Sequence, residues 1–156
     1  MKWTVVEKIV ETPITVTLRF RPEHPVDFKP GQFFMLAGHV DGKLVKRAYS
    51  LSSPPTRSLT DVTVKLGTNP HFSKFLHDLP VGDFLDATGP FGHFVYDEPL
   101  SKDLVFIGAG SGIAPLMGIA RYVCDKKIDA RMTMIYSSKN RDLIIFRDEL
   151  NALSRD

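Results

Sequence analysis

Lys46-Arg47-Ala48-Tyr49-Ser50-Leu51-Ser52-Ser53-Pro54 is the run on which the reading of this chain turns. On a strand, successive side chains point to opposite faces, so Arg47 and Tyr49 share one surface while Ala48 and Ser50 share the other. A cation beside an aromatic ring suits two readings: a solvated strand face, or a surface for a ligand that carries both a phosphate and a flat ring.

Outward from that run, the first part of the chain alternates in short bursts: Trp3 to Ile9, Ile14 to Phe20, Gln32 to Ala37, Lys46 to Ser52 and Asp61 to Leu66. Turn residues separate them at Thr12-Pro13, Pro22 to Pro25, Lys29-Pro30-Gly31, Asp41-Gly42 and Ser53-Pro54-Pro55. Short strands punctuated in this way predict an antiparallel barrel or sandwich. After Asn69-Pro70, the residues Phe72, Phe75, Leu76 and Leu79 recur at helical spacing and predict one short amphipathic helix. Pro80-Val81-Gly82-Asp83 reads as a turn, Phe84 to Thr88 as a further strand, and Gly89-Pro90-Phe91-Gly92 as a sharp turn that closes this half.

Beyond residue 100 the pattern changes. Asp103-Leu104-Val105-Phe106-Ile107 is a continuous apolar run, as in strands buried on both faces of a parallel sheet. A glycine-rich turn follows, then a helix from Ile113 to Cys124, a strand from Met132 to Tyr136 and a helix from Phe146 to Leu153. Strand, helix, strand, helix is the rhythm of a doubly wound α/β fold.

Composition sets the outer limits. With 43% hydrophobic and 24% charged residues, the chain has the make-up of an ordinary globular protein. A formal charge of +2 is too small for a sequence-independent nucleic-acid surface. The single cysteine, Cys124, rules out an internal disulfide and a four-cysteine iron-sulfur cluster, and it is expected to be packed at a helix end. His24, His39, His71, His77 and His93 have no metal-ligand spacing. The start of the chain lacks the apolar core of a secretory signal, and no run approaches the ~20 apolar residues that span a bilayer. A cytoplasmic protein with no membrane span is the expectation.

The Arg47 to Pro54 run, Pro30-Gly31-Gln32-Phe33 before it, Val81-Gly82-Asp83, Gly89-Pro90-Phe91-Gly92, and Gly108-Ala109-Gly110-Ser111-Gly112-Ile113-Ala114-Pro115 follow one another in an order and spacing that resembles the ferredoxin-NADP reductase family. The similarity covers nearly the whole chain. It implies a mainly β fold, in which a six-stranded antiparallel Greek-key barrel with one short helix (residues 1–99) binds FAD. A partial α/β doubly wound domain (residues 100–156) would then bind NAD(P).

What the resemblance implies for single residues follows. Arg47 would pair with a flavin phosphate, Tyr49 would pack on the isoalloxazine ring, and Ser50, the one residue given a catalytic part, would lie near flavin N5. Lys65 and Gly89 join this cofactor set. The amides of His71, Phe72 and Ser73, with the Ser73 hydroxyl, suit a second phosphate, because a helix start favours an anion. Here the chain departs from the family, which usually has glycine three residues before the serine where this chain has Pro70. Two phosphate contacts favour FAD over FMN.

Gly108, Gly110, Ser111, Gly112 and Pro115 match the family's G-x-G-x-G-x-x-P form, with serine where threonine is common, and not the G-x-G-x-x-G fingerprint. Ser137-Ser138-Lys139-Asn140-Arg141 offers hydroxyls and cations but no carboxylate where a ribose is commonly tested. This loop reads either as plain solvated structure or as a site, through Ser137 and Arg141, for a 2'-phosphate and hence NADPH.

The resulting expectation is an NAD(P)H-dependent flavoprotein reductase passing electrons to a redox protein or small acceptor. The alternatives are an FAD-binding module that needs a partner, and a barrel that has lost its flavin. Only 56 residues follow Leu100, against on the order of 100 for a nucleotide domain. Weak turnover is therefore expected, with self-association through the incomplete sheet around Val105, Ile107, Met132 and Met134.

Overall fold

The computed structural model describes residues 1–68, 70–97 and 101–154. The strands are β1 (Lys2–Thr12), β2 (Thr15–Pro22), β3 (Phe33–Val40), β4 (Lys43–Ser50), β5 (Thr60–Lys65), β6 (Phe84–Phe91), β7 (Asp103–Ala109) and β8 (Arg131–Ser137). The helices are α1 (His71–Asp78), α2 (Ile113–Asp125) and α3 (Arg147–Leu153). Short 3-10 turns cover Gly110–Gly112 and Arg141–Leu143.

The first six strands form one antiparallel sheet in the order β4-β3-β6-β1-β2-β5. It curls around Trp3, Leu18, Phe20, Phe34, Leu36, Leu51 and Val62, all fully buried. Trp3 sits between Phe34 and Phe20 at ring-centroid distances of 4.8 and 5.7 Å. Asp41 and Gly42 both have positive φ, 50° and 74°, the pair of values that a two-residue hairpin turn demands between β3 and β4. The expected barrel is curled but its seam is almost open: β4 and β5 meet through one bridge, Leu51 to Val62. Pro54 and Pro55, just beyond, have no amide to extend a ladder there.

Helix α1 lies on this sheet through its buried Phe72 and Leu76. Strand β6 runs on through Gly89, Pro90 and Phe91, so the sharp turn expected at that motif is displaced to Gly92, whose φ is +104°. Pairing of Phe33 with Phe91 keeps the motif in the sheet.

Strands β7 and β8 pair in parallel from Asp103 with Arg131 to Ala109 with Ser137. Helix α2 covers one face, packing Leu116, Ile119, Ala120 and Val123 on Leu104 and Phe106. The other face is bare, which corrects the expectation of burial on both: Val105, Ile107 and Ile135 are 63%, 74% and 56% exposed. Met132 and Met134, expected at the open side, point instead toward the α2 face and are half-buried there. Cys124 is exposed, which corrects the expectation of a packed side chain, since the buried stripe of α2 runs through Leu116, Ala120 and Val123 and leaves residue 124 facing out. The expected domain boundary at residues 99 and 100, and Asn69 before α1, lie outside the described residues.

Candidate functional site

The end of β4 presents the predicted run. Arg47 pairs across the sheet with Leu36, Tyr49 with Phe34 and Ser50 with Phe33. Arg47 is exposed, donates through Nη1 to the Lys46 carbonyl at 2.8 Å, and makes no salt bridge among the described residues. Tyr49 is half-buried, its ring centroid 6.2 Å from that of Phe72 at an interplanar angle of 36°. Burial pushes the Tyr49 phenol above its ordinary range, with the Arg47 charge opposing. An uncommitted cation and a ring held at a fixed tilt thus stand together on one surface.

Phe72 also brings the start of α1 to this place. Its side chain belongs to the core, stacked on Phe75 at 5.4 Å, so only its amide is left to meet a ligand. Pro70 caps the helix with no side-chain hydrogen bond, and its carbonyl accepts from Lys74 N at 2.8 Å. The amides of His71, Phe72 and Ser73 have no partner within the helix, as at any helix start. The His71 ring lies 3.3 Å from the Asp41 carboxylate and ties α1 to the tip of the β3–β4 hairpin.

Across a short gap lies the glycine-rich turn. A side chain begun at Gly110 would start 3.3 Å from Lys65 Nζ at the end of β5, so the turn and the barrel edge face one another. The Tyr136 hydroxyl donates to the Gly110 carbonyl at 2.8 Å, and burial pushes that phenol up in pKa. Ser111 and Gly112 are exposed, while Pro115 sits in the first turn of α2, where proline is tolerated. Gly108 is half-buried at the end of β7 beside Tyr136. Gly89 has a packing reason for lacking a side chain: one there would start 2.7 Å from the Phe34 ring.

Ser137 pairs with Ala109, so the loop after β8 stands at the same end of the parallel pair as the glycine turn. Asn140 caps that loop by accepting from Leu143 N at 3.1 Å. Lys139 and Arg141 are exposed and form no salt bridge among the described residues. No group of three or more His, Cys, Asp or Glu that could hold a metal ion occurs among the described residues.

The donor set fits a dinucleotide with a flat ring system: a guanidinium without a carboxylate partner, open helix-start amides, a tilted aromatic ring and a glycine approach beside Lys65. Sequence reasoning missed Arg121 and Gly118 on α2, which bind this helix to the segment following Ser50. One signal was available, because Arg121 falls on the apolar stripe that includes Ile113 and Met117.

The chain matches known protein families along most of its length. Residues 2–96 match the oxidoreductase FAD-binding domain and residues 106–156 the oxidoreductase NAD-binding domain. The glycine betaine monooxygenase reductase subunit of Chromohalobacter salexigens is 36% identical, over 96% of this chain and 42% of its own length. An NADH-cytochrome b5 reductase 1 from Laccaria bicolor is 30% identical, over 92% and 48%. The flavohem-like FAD/NAD-binding domain of a nitric oxide dioxygenase from Vibrio cholerae superposes with a TM-score of 0.90 at 25% identity, over 99% of this chain and 69% of that one. A ferredoxin-NADP+ reductase from Neisseria gonorrhoeae, solved with bound FAD and NADP, gives 0.82 at 28%, over 99% and 64%. The chain spans less than half the length of these two curated relatives.

Proposed function

Because this chain belongs to the ferredoxin-NADP reductase family, with an FAD-binding part followed by an NAD-binding part, we propose that it carries electrons from NAD(P)H through FAD to a separate acceptor. Two observations support this reading: the ring of Tyr49, beside the exposed Arg47, lies against Phe72 at the α1 start, and the Gly110 turn closes on Lys65 at the end of β5. The two parts are residues 1–99 and 100–156. The acceptor is a redox protein or a small molecule; the naming of relatives as reductase subunits of monooxygenases favours an oxygenase component.

Bound FAD would supply the hydride and single-electron chemistry, and the protein contributes binding and orientation. Arg47 would hold a phosphate with parallel charge-assisted hydrogen bonds. The free amides of His71 to Ser73 would hold the second phosphate. Tyr49, braced by Phe72, would keep its ring against the isoalloxazine and exclude water from that face. The Ser50 hydroxyl, able to give or accept a hydrogen bond, would lie near flavin N5. On the nicotinamide side, the Gly110–Gly112 turn leaves room for the nucleotide backbone, and Lys139 and Arg141 suit a 2'-phosphate.

A second reading, an FAD-binding module that needs more sheet for turnover, is favoured by the bare face of Val105, Ile107 and Ile135. Adding FAD to the purified chain, recording the absorbance spectrum and identifying the released flavin test the first step. Anaerobic mixing with NADPH tests the second. A protein that takes up no flavin overturns both readings; flavin uptake without rapid reduction selects the module.

A further inference from the structure

Arg121 is a charged residue on the buried side of α2, 8% exposed. Its Nε and Nη2 donate to the two oxygens of Glu149 at 2.8 and 2.5 Å, and its Nη1 donates to the Ser52 carbonyl at 2.7 Å. The guanidinium lies 4.6 Å from the Phe146 ring. A buried guanidinium needs such partners, and this fork satisfies each face of it. One turn earlier on α2, a side chain begun at Gly118 would start 2.8 Å from the Leu51 carbonyl oxygen, so α2 is pressed onto the Leu51–Ser53 segment with no room for a methyl group.

That segment is itself anchored on its far side. Ser52 N donates to the Asp61 carbonyl at 2.9 Å, Asp61 N donates to Ser53 Oγ at 2.8 Å, and Thr63 Oγ1 donates to Ser52 Oγ at 2.9 Å. Ser52 is two residues beyond Ser50, and α2 begins directly after the Gly110–Gly112 turn. The Ser52 carbonyl therefore joins the segment after Tyr49 and Ser50 to the middle of the helix that follows the nucleotide turn, while Thr56 and Arg57 hold Asp125 at the far end of that helix.

We propose that Arg121 is a positioning residue: by clamping the Ser52 carbonyl it sets the spacing between the flavin strand and the nucleotide turn. The inference rests on the proposed function for what those two elements hold. Hydride transfer needs reacting atoms roughly 3–3.5 Å apart in an aligned pose, and a helix free to slide on Leu51–Ser53 would not preserve it.

Hydrogen exchange on the flavin-free 156-residue chain tests the clamp. In Arg121→Met, amides of residues 51–53 and 110–118 should exchange roughly tenfold faster or more, the opening expected when a charge-assisted hydrogen bond is lost, with the β1–β2 ladder unchanged. Gly118→Ala should do the same with every charge in place, although alanine ordinarily favours a helix. With FAD added, the visible circular dichroism of the flavin should shift in Arg121→Met and return toward the parent in Arg121→Lys, which keeps a donor for Ser52. A general loss of stability would not give this selective exchange or this rescue. Parent-like exchange in both Arg121→Met and Gly118→Ala, or parent-like dichroism in Arg121→Met, would overturn the proposal. Failure of the parent to take up FAD overturns its flavin side together with the proposed function, and is recognised separately because the exchange comparison uses no flavin.

Discussion

The ring of Tyr49 rests 6.2 Å from that of Phe72, 36° from parallel, so an aromatic contact brings the strand that presents Arg47 against the helix that presents three open amides. Removing either the cation or the ring separates their contributions. Arg47→Ala should weaken FAD retention by on the order of ten- to a hundredfold, the loss expected for a charge-assisted hydrogen bond of about 1.5–3 kcal/mol. Tyr49→Ala should both weaken retention and alter the flavin spectrum. Fluorescence titration of FAD into each variant measures the first effect and absorbance the second; parent affinity in both variants would place the site elsewhere.

Stability near Glu11 should depend on pH in a defined direction. Thr17 Oγ1 lies 2.7 Å from Glu11 Oε1 and 2.9 Å from Thr63 Oγ1; Thr63 reaches Ser52 Oγ at 2.9 Å, and Ser52 Oγ reaches the Asp61 carbonyl at 3.2 Å. Thr17 Oγ1 donates to Glu11 Oε1, so the carboxyl oxygen is the acceptor at the head of this hydroxyl chain. Burial raises the Glu11 carboxyl above its reference value of 4.5, against the opposing Thr17 hydrogen bond and Arg121 charge. The folded state thus binds this proton more tightly than the unfolded one, so its stabilisation is full below about 4.5 and lost as pH rises through the folded value. Glu11→Gln, whose amide oxygen can still accept from Thr17 and which carries no charge to desolvate, should therefore melt higher than the parent at pH 7 and lose that advantage toward pH 4. Thermal unfolding of both proteins across this range decides it; an unchanged or lower melting point at pH 7 would contradict the assignment.

The bare face of β7 and β8 should make the chain self-associate. Val105, Ile107 and Ile135 form an apolar surface beside strand edges left unpaired among the described residues, the arrangement that favours edge-to-edge pairing. Ile107→Lys should reduce association at little cost in stability, because that side chain is 74% exposed. Sedimentation velocity over a range of concentrations reads the difference. A parent that stays monomeric at high concentration would refute the expectation.

Nicotinamide selection should follow the loop after β8. Lys139 and Arg141 are exposed and without salt-bridge partners among the described residues, and no carboxylate ends the strand to accept ribose hydroxyls. NADPH should bind more tightly than NADH, and Arg141→Ala should narrow that preference by up to about tenfold, the effect of one exposed phosphate contact. Calorimetric titration with each nucleotide tests it, with equal affinities as the contrary result.

Much of this architecture is determined by neighbours in sequence. Alternating bursts marked the strands, the Phe72 and Leu76 spacing marked α1, and Asp41-Gly42 marked a turn, which the structure shows to be a two-residue hairpin. The motif run from Arg47 to Pro115 also identified the family. Such features depend on side-chain periodicity and turn conformation within a few residues, which the order of residues specifies directly. The clamp of Arg121 on Ser52 joins residues 69 positions apart, and only folding decides which carbonyl meets a guanidinium on an apolar helix stripe. The sequence anticipated an incompletely covered sheet around Val105 and Ile107, but that Met132 and Met134 turn to the α2 face was beyond it, because an apolar strand says that a face needs cover but not which face a helix reaches. The single-bridge seam between β4 and β5 depends in the same way on how far the whole sheet curls, a sum over six strands that no local pattern records.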